Sequence, residues 1–191
     1  KNVHSTPELA FGLILSLIRK IPWAFDSVKK GEWDRTKYCG GEIFGKTLGL
    51  LGFGRIGKIM AGYGKAFGMK VIASDPNVSG KEMRRTGVKK VTPPRLFRNS
   101  DIVSINVSYS PENAGLIKEK HFKTMKPAAI FINTARGELV DEPSLLKALK
   151  KKWIAGAALD VLCEENLEKK NFKTNPLVAY ARRNKNLIIV P

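Results

Sequence analysis

Residues 47–58 read TLGLLGFGRIGK, and this stretch decides the fold. TLGLLGF is a short apolar run suited to a buried strand, and RIGKIMAGYGKAF after it has helical spacing. Between the two, Gly52, Gly54 and Gly57 stand at GxGxxG spacing. Glycines so spaced also mark ordinary packing turns, but a strand before and a helix after give the pattern its value. In that setting Gly52 permits the sharp turn, Gly54 lets the backbone approach a pyrophosphate, and Gly57 lets the helix pack closely on the strand. The helix N-terminus then offers unpaired N–H groups and a partial positive charge to the phosphates.

Outward from this turn the chain alternates. KVIASD reads as a second strand, and DIVSINV, AAIFINTA, IAGAALDV and NLIIV as further ones; a helix is predicted from about Glu142 to Lys152. Apolar runs of this length separated by helices predict an α/β fold, a doubly wound parallel sheet covered on both faces. Open sheets of this kind bind ligands at the carboxyl ends of their strands. Asp75 ends the second strand, eighteen residues beyond Gly57, near the ~20-residue offset of a carboxylate on the adenosine ribose. A carboxylate there repels a 2′-phosphate, which favours NAD over NADP.

Two further motifs place charge on the same edge. In INTARGELVDE, Arg136 emerges at a strand's carboxyl end, where a guanidinium can clamp a carboxylate with two parallel hydrogen bonds. The alternative is a structural ion pair with Glu138 or Asp141. In GAALDVLCEE, Asp160 ends another strand and Glu165 follows in the loop. Such a pair is as often simply solvated. The convergence of three strand ends on the glycine-rich side is what favours a site.

Composition bounds the rest. The 191 residues, 43% hydrophobic, suit one large domain. The run LAFGLILSLI, residues 9–18, is too short to span a membrane and reads as a buried or interface helix, Pro7 to Ile21. It is capped either by Ser5 with Glu8 or by Thr6 with Pro7. Cys39 and Cys163 are too few and too far apart for a disulfide framework or a metal site, so the location expected is cytoplasmic. The net charge of +17 comes from basic residues scattered along the chain without interleaved aromatics. That pattern reads as a solvated surface, and nucleic acid is not expected as a partner.

Taken together, LGLLGFGRIGK, ASDP, INTARGELVDE and GAALDVLCEE resemble the NAD-binding domain of the D-isomer-specific 2-hydroxyacid dehydrogenases. The resemblance runs from STPELAFGLILSLIRKIP through GEIFGKTLG to NLIIVP. It implies a Rossmann-type domain of an oxidoreductase that interconverts 2-hydroxy and 2-keto acids with NAD(H). Arg136 then matches the arginine that holds the substrate carboxylate. Glu165 matches the glutamate that pairs with the catalytic histidine, and Asp160 the aspartate at the nicotinamide amide. Arg55 and Ile56 match pyrophosphate contacts, Asp75 the adenosine-ribose contact, Val107, Ser108 and Asn113 the adenosine side, and Thr134 and Ala135 the nicotinamide ribose. Two positions depart from the family: Ser108, and Asn166 after Glu165, stand where it usually has proline.

The resemblance also implies that the catalytic histidine directly follows Pro191, while the two histidines present, His4 and His121, are structural or solvated. Residues 1–191 are then expected to be an NAD-binding domain whose substrate domain comes from flanking segments. They should bind NAD(H) without turning over a keto acid, and pair as a homodimer. The alternative within the same fold is an NAD-sensing scaffold like the transcriptional corepressors.

Overall fold

The computed structural model describes residues 3–163 and 174–191. Its sheet is made of β1 (Thr47–Leu51), β2 (Lys70–Ser74), β3 (Lys89–Lys90), β4 (Ile102–Ile105), β5 (Ile130–Asn133), β6 (Gly156–Leu159) and β7 (Leu187–Ile189). All six neighbouring pairs are parallel, and the order is β3-β2-β1-β4-β5-β6-β7. The strand order therefore reverses between β1 and β4.

The apolar runs lack polar alternation because both sheet faces are covered. Leu48 and Leu50 of β1, Ile102, Ile130 and Ala158 face one core, shared with α1 (Ser5–Ile18) and α3 (Arg55–Ala66). Val103, Ile105, Phe131, Ala157 and Leu159 face the other. That core is closed by α5 (Pro93–Asn99), α6 (Glu119–Thr124), α7 (Glu142–Lys150) and α8 (Pro176–Ala181). Successive strand residues thus serve opposite layers, as the pleat requires.

The short helices owe their starts to caps. Asp141 accepts a hydrogen bond from Ser144 N at 3.1 Å at the head of α7, and the Ser144 hydroxyl donates to the same carboxylate. Asn175 accepts from Leu177 N and Val178 N at the head of α8. Ser79 does the same from Glu82 N for α4 (Gly80–Arg85).

Three boundaries differ from the sequence reading. The cap expected at Ser5 or Thr6 is not formed: Ser5 is already helical, and His4 is the N-cap. The single helix to Ile21 is instead two. It stops at Ile18, Lys20 adopts φ +56°, and Pro22 opens α2 (Ile21–Lys29), because a proline N cannot continue the hydrogen-bond ladder. Likewise α7 ends at Lys150, short of Lys152, which has φ +56°. The two-residue β3 was not foreseen, since a pair of lysines carries no apolar period.

The amino-terminal edge of the sheet is pinned by Asp101. Its carboxylate accepts from Thr47 N at 2.8 Å and pairs with Lys126 Nζ at 2.8 Å, while its backbone bridges Thr47 O and Ile130 N. One residue thereby joins β1, β4 and β5 at the edge opposite the carboxyl ends.

Candidate active site

The glycine turn sits at the reversal point. Gly52 has φ +94°, a conformation that L side chains rarely adopt. A β-carbon there would also stand 2.5 Å from Asn106 O and 3.0 Å from Val107 N. The chain leaving β1 thus touches the chain leaving β4. Gly57 packs against Gly52 O, which sets the first turn of α3 directly on the strand end. Gly54, the N-cap of α3, is different: a β-carbon there would meet nothing within 4 Å. Its exposed backbone and the free N–H groups of the helix start form an open cradle with room for a phosphate. Arg55 is exposed beside it.

Asp75 closes the far end of this cradle. One carboxylate oxygen accepts from Phe53 N at 2.7 Å and the other from Asn77 N at 2.8 Å. Its position is therefore tied to the glycine turn itself.

Past the turn lies a cleft of about 410 Å³. Of the residues singled out from sequence, Ile56, Val107, Ser108, Thr134, Ala135 and Arg136 line it. Thr6, Asn106 and Tyr109 line it too and were missed. Asn106 could have been found, because it directly follows β4; Thr6 enters from the far end of the chain and had no local signal. Thr134 Oγ1 and Asn106 Oδ1 are buried with no hydrogen-bond partner among the described residues. Two unsatisfied polar atoms of this kind are costly without a ligand or water to engage them, and a ribose or amide could do so.

Arg136 is held by its backbone, and its guanidinium has no carboxylate partner among the described residues. Asn133, buried at the end of β5, donates to Arg136 O at 2.9 Å and accepts from Ala135 N at 3.1 Å. This clamp turns the chain so that Arg136 is exposed at the carboxyl edge, with Nη1 donating to Ala135 O at 2.7 Å. The ion pair weighed for it does not form among the described residues. Asp141 is occupied in capping α7.

The remaining candidates lie around this centre. Asp160 directly follows β6, and its N–H donates to Asn133 O at 3.0 Å, so it shares the carboxyl edge with Arg136. Asn113 does not line the cleft: its amide braces the neighbouring loop, donating to Ser108 O and accepting from Ser110 N. Glu165, like Asn166, lies outside the described residues. His121 accepts from Lys118 N at 3.0 Å at the start of α6 and packs on Phe97. Burial, and then the Lys120 charge, push its pKa below the ordinary histidine value. His4 Nδ1 lies 3.4 Å from the Tyr63 hydroxyl.

A reversed parallel sheet, a glycine turn at the reversal and an acid after β2 define a dinucleotide-binding domain of the Rossmann class. A family model described as D-isomer specific 2-hydroxyacid dehydrogenase, NAD binding domain, matches residues 11–191, and the chain belongs to that family. It is 41% identical over 189 residues to D-3-phosphoglycerate dehydrogenase of Archaeoglobus fulgidus, covering 95% of this chain and 36% of that protein. It is 42% identical over 168 residues to glyoxylate reductase of Thermococcus litoralis, covering 84% of this chain and 51% of the relative. Among solved structures, D-lactate dehydrogenase of Aquifex aeolicus, complexed with NAD and lactic acid, superposes with a TM-score of 0.89 at 32% identity. That match covers 100% of this chain and 59% of the other. The chain thus spans between about a third and three fifths of these proteins. The cofactor is NAD, and the corepressor-like alternative finds no support among these relatives.

Proposed function

We propose that residues 1–191 are the NAD(H)-holding part of a dehydrogenase that interconverts a D-2-hydroxy acid and its 2-keto acid. The substrate domain would be built from segments flanking these residues. The observation that carries the reading is Arg136: an exposed guanidinium with no carboxylate partner among the described residues, lining the same cleft as the orphaned Thr134 Oγ1. Such a group is suited to the carboxylate of a substrate, bidentate in the favourable case.

NAD(H) supplies the hydride. The chain's own residues bind and orient. Gly54, Arg55 and Ile56, with the start of α3, hold the pyrophosphate, and Gly52 and Gly57 shape that turn. Asp75 accepts from the adenosine-ribose hydroxyls and rejects a 2′-phosphate. Val107 and Ser108 border the adenosine side, with Asn113 bracing their loop. Thr134 and Ala135 face the nicotinamide ribose, and Asp160 takes the nicotinamide amide. Glu165 is assigned as the partner of a protonated histidine, because a neighbouring carboxylate stabilises the charged imidazole. That histidine is neither His4 nor His121, which sit at the head of α1 and on α6.

Calorimetric titration tests this. The chain should bind NADH with micromolar affinity, bind NADPH at least about tenfold more weakly, and leave pyruvate, glyoxylate and phosphohydroxypyruvate unreduced. Failure to bind NADH, or turnover by the chain alone at the rate of an intact dehydrogenase, would overturn it.

The same reading assigns a homodimer. The α2 arm carries Ile21, Phe25 and Val28, all more than half exposed, followed by Trp33 at 74%. Apolar side chains grouped in this way mark a surface that a second copy can cover. No helix among the described residues is long and apolar enough to cross a membrane. With two cysteines, Cys39 and Cys163, too few and too far apart for a disulfide framework, we assign the cytoplasm.

A further inference from the structure

Basic residues that are scattered in the sequence are gathered in the fold. A groove of about 450 Å³ crosses the amino-terminal ends of β2 and β3, on the edge opposite the cofactor cleft. Lys65 of α3 stands at one side, Lys70 and Lys89 on the strands, and Arg95 of α5 at the other side. Because α3 and α5 pack on opposite faces of the sheet, the groove runs from one helical layer to the other. No carboxylate lines it. None of the four cations is in an ion pair among the described residues; Lys65 donates only to Thr86 O, at 2.7 Å. Asp101, which accepts from the lining residue Thr47, is already paired with Lys126.

An aromatic ring stands at the same edge. Phe44 is 76% exposed, the most exposed of the large apolar side chains. Its ring lies over Gly68, and the backbones of 45–46 and 68–70 are joined by Gly45 N to Gly68 O and Lys70 N to Lys46 O. Gly68, which the ring covers, is two residues from the groove cation Lys70, and a ring so exposed beside a cationic groove suits base stacking.

We propose that this groove binds single-stranded nucleic acid, its phosphates on Lys65, Lys70, Lys89 and Arg95 and a base stacked on Phe44. A track of unpaired cations follows a polyphosphate backbone, and a lone aromatic platform distinguishes an unstacked strand from a duplex. The site is independent of the dehydrogenase reading, since it shares no residue with the cofactor cleft.

Fluorescence anisotropy with a labelled oligouridine of about 20 nucleotides tests the proposal. The affinity should fall with salt along a log–log slope of about −2.8, the value for four phosphate contacts on a single strand. Charge reversal at Lys70→Glu, Lys89→Glu and Arg95→Glu together should reduce that slope to about −0.7. Reversal of Lys150, Lys151 and Lys152, the same change in net charge elsewhere, should leave it unchanged. Phe44→Ala should weaken binding about tenfold without altering the slope. Saturating NADH should not compete, and NADH affinity should be equal in all variants, which also shows that they are folded. Equal loss in the two triple variants would overturn the groove, and competition by NADH would move the strand to the cofactor cleft. A neutral Phe44→Ala, or a duplex bound as tightly as the single strand, would overturn the single-strand assignment.

Discussion

A methyl group added at Gly52 and one added at Gly54 should do different things. At Gly52 it meets the backbone of Asn106 and sits on a positive φ, so Gly52→Ala should cost more than about 2 kcal/mol of stability and abolish NADH binding. At Gly54 it meets only open space, so Gly54→Ala should leave the melting temperature within a degree or so while weakening NADH at least about tenfold. Thermal melts and NADH titrations of the two variants separate these outcomes. The sequence distinguished the roles by their order in the motif; the clash partner, Asn106, was invisible because it is supplied by another strand. His121 gives a second test at this scale. Burial and the nearby Lys120 hold its pKa down, so the folded state resists protonation. Its contribution is present in full above the unfolded value of ~6.5 and is lost as pH falls toward the lower folded value. Imidazole resonances of His121 should therefore titrate below those of a histidine in a short peptide.

Among the elements, all strands but β3 were legible because they are short apolar runs, and β1 to β2 was marked further by the glycine turn. The helix breaks at Lys20 and Lys152 were not, since a left-handed lysine has no compositional signal. The two-residue β3 escaped because its pairing with β2 is made by backbone alone. The tie between elements at Asp101 was equally hidden, as its partners Thr47 and Lys126 are remote in sequence. Burial opposes ionisation of this carboxyl, but hydrogen bonds from Lys126 and Thr47 outweigh it and hold the pKa below the ordinary aspartate value. That stabilisation is present above the unfolded value of ~3.9 and disappears as pH drops through the folded one. Asp101→Ala, which leaves Thr47 N and Lys126 without their acceptor, should cost about 1–3 kcal/mol in denaturant unfolding at neutral pH. The same measurement at pH 2 should show a smaller difference.

For the whole molecule, most of the candidate residues that follow strand ends were legible, Asn106 after β4 being the exception. Arg136 and Asp160 were placed correctly at the carboxyl edge because the strands before them were recognised. Thr6 was not, because α1 reaches the cleft only once the sheet is built. Light scattering should give twice the mass of 21.2 kDa at micromolar concentration. Replacing Phe25 and Trp33 together by serine should halve it while preserving NADH binding. A wild-type chain that stays monomeric would refute the assigned dimer.

The order β3-β2-β1-β4-β5-β6-β7 also bears on how the chain is made. During synthesis β2 joins β1, β3 joins β2, and β4 then takes the other side of β1; β5, β6 and β7 follow in turn. Every strand docks on an existing margin, and none must wedge between two neighbours already paired. Such a sheet can grow as it leaves the ribosome, amino-terminal units first. The exception is α1. It is translated before the seven strands of this sheet, yet Leu17 lies against Gly156 of β6, so part of its apolar stripe finds its seat only once β6 has been made. Until then Phe11 can shelter on Tyr63 and Phe67, with ring centroids 5.6 Å away in the finished fold, and the nascent helix is the segment a chaperone would recognise.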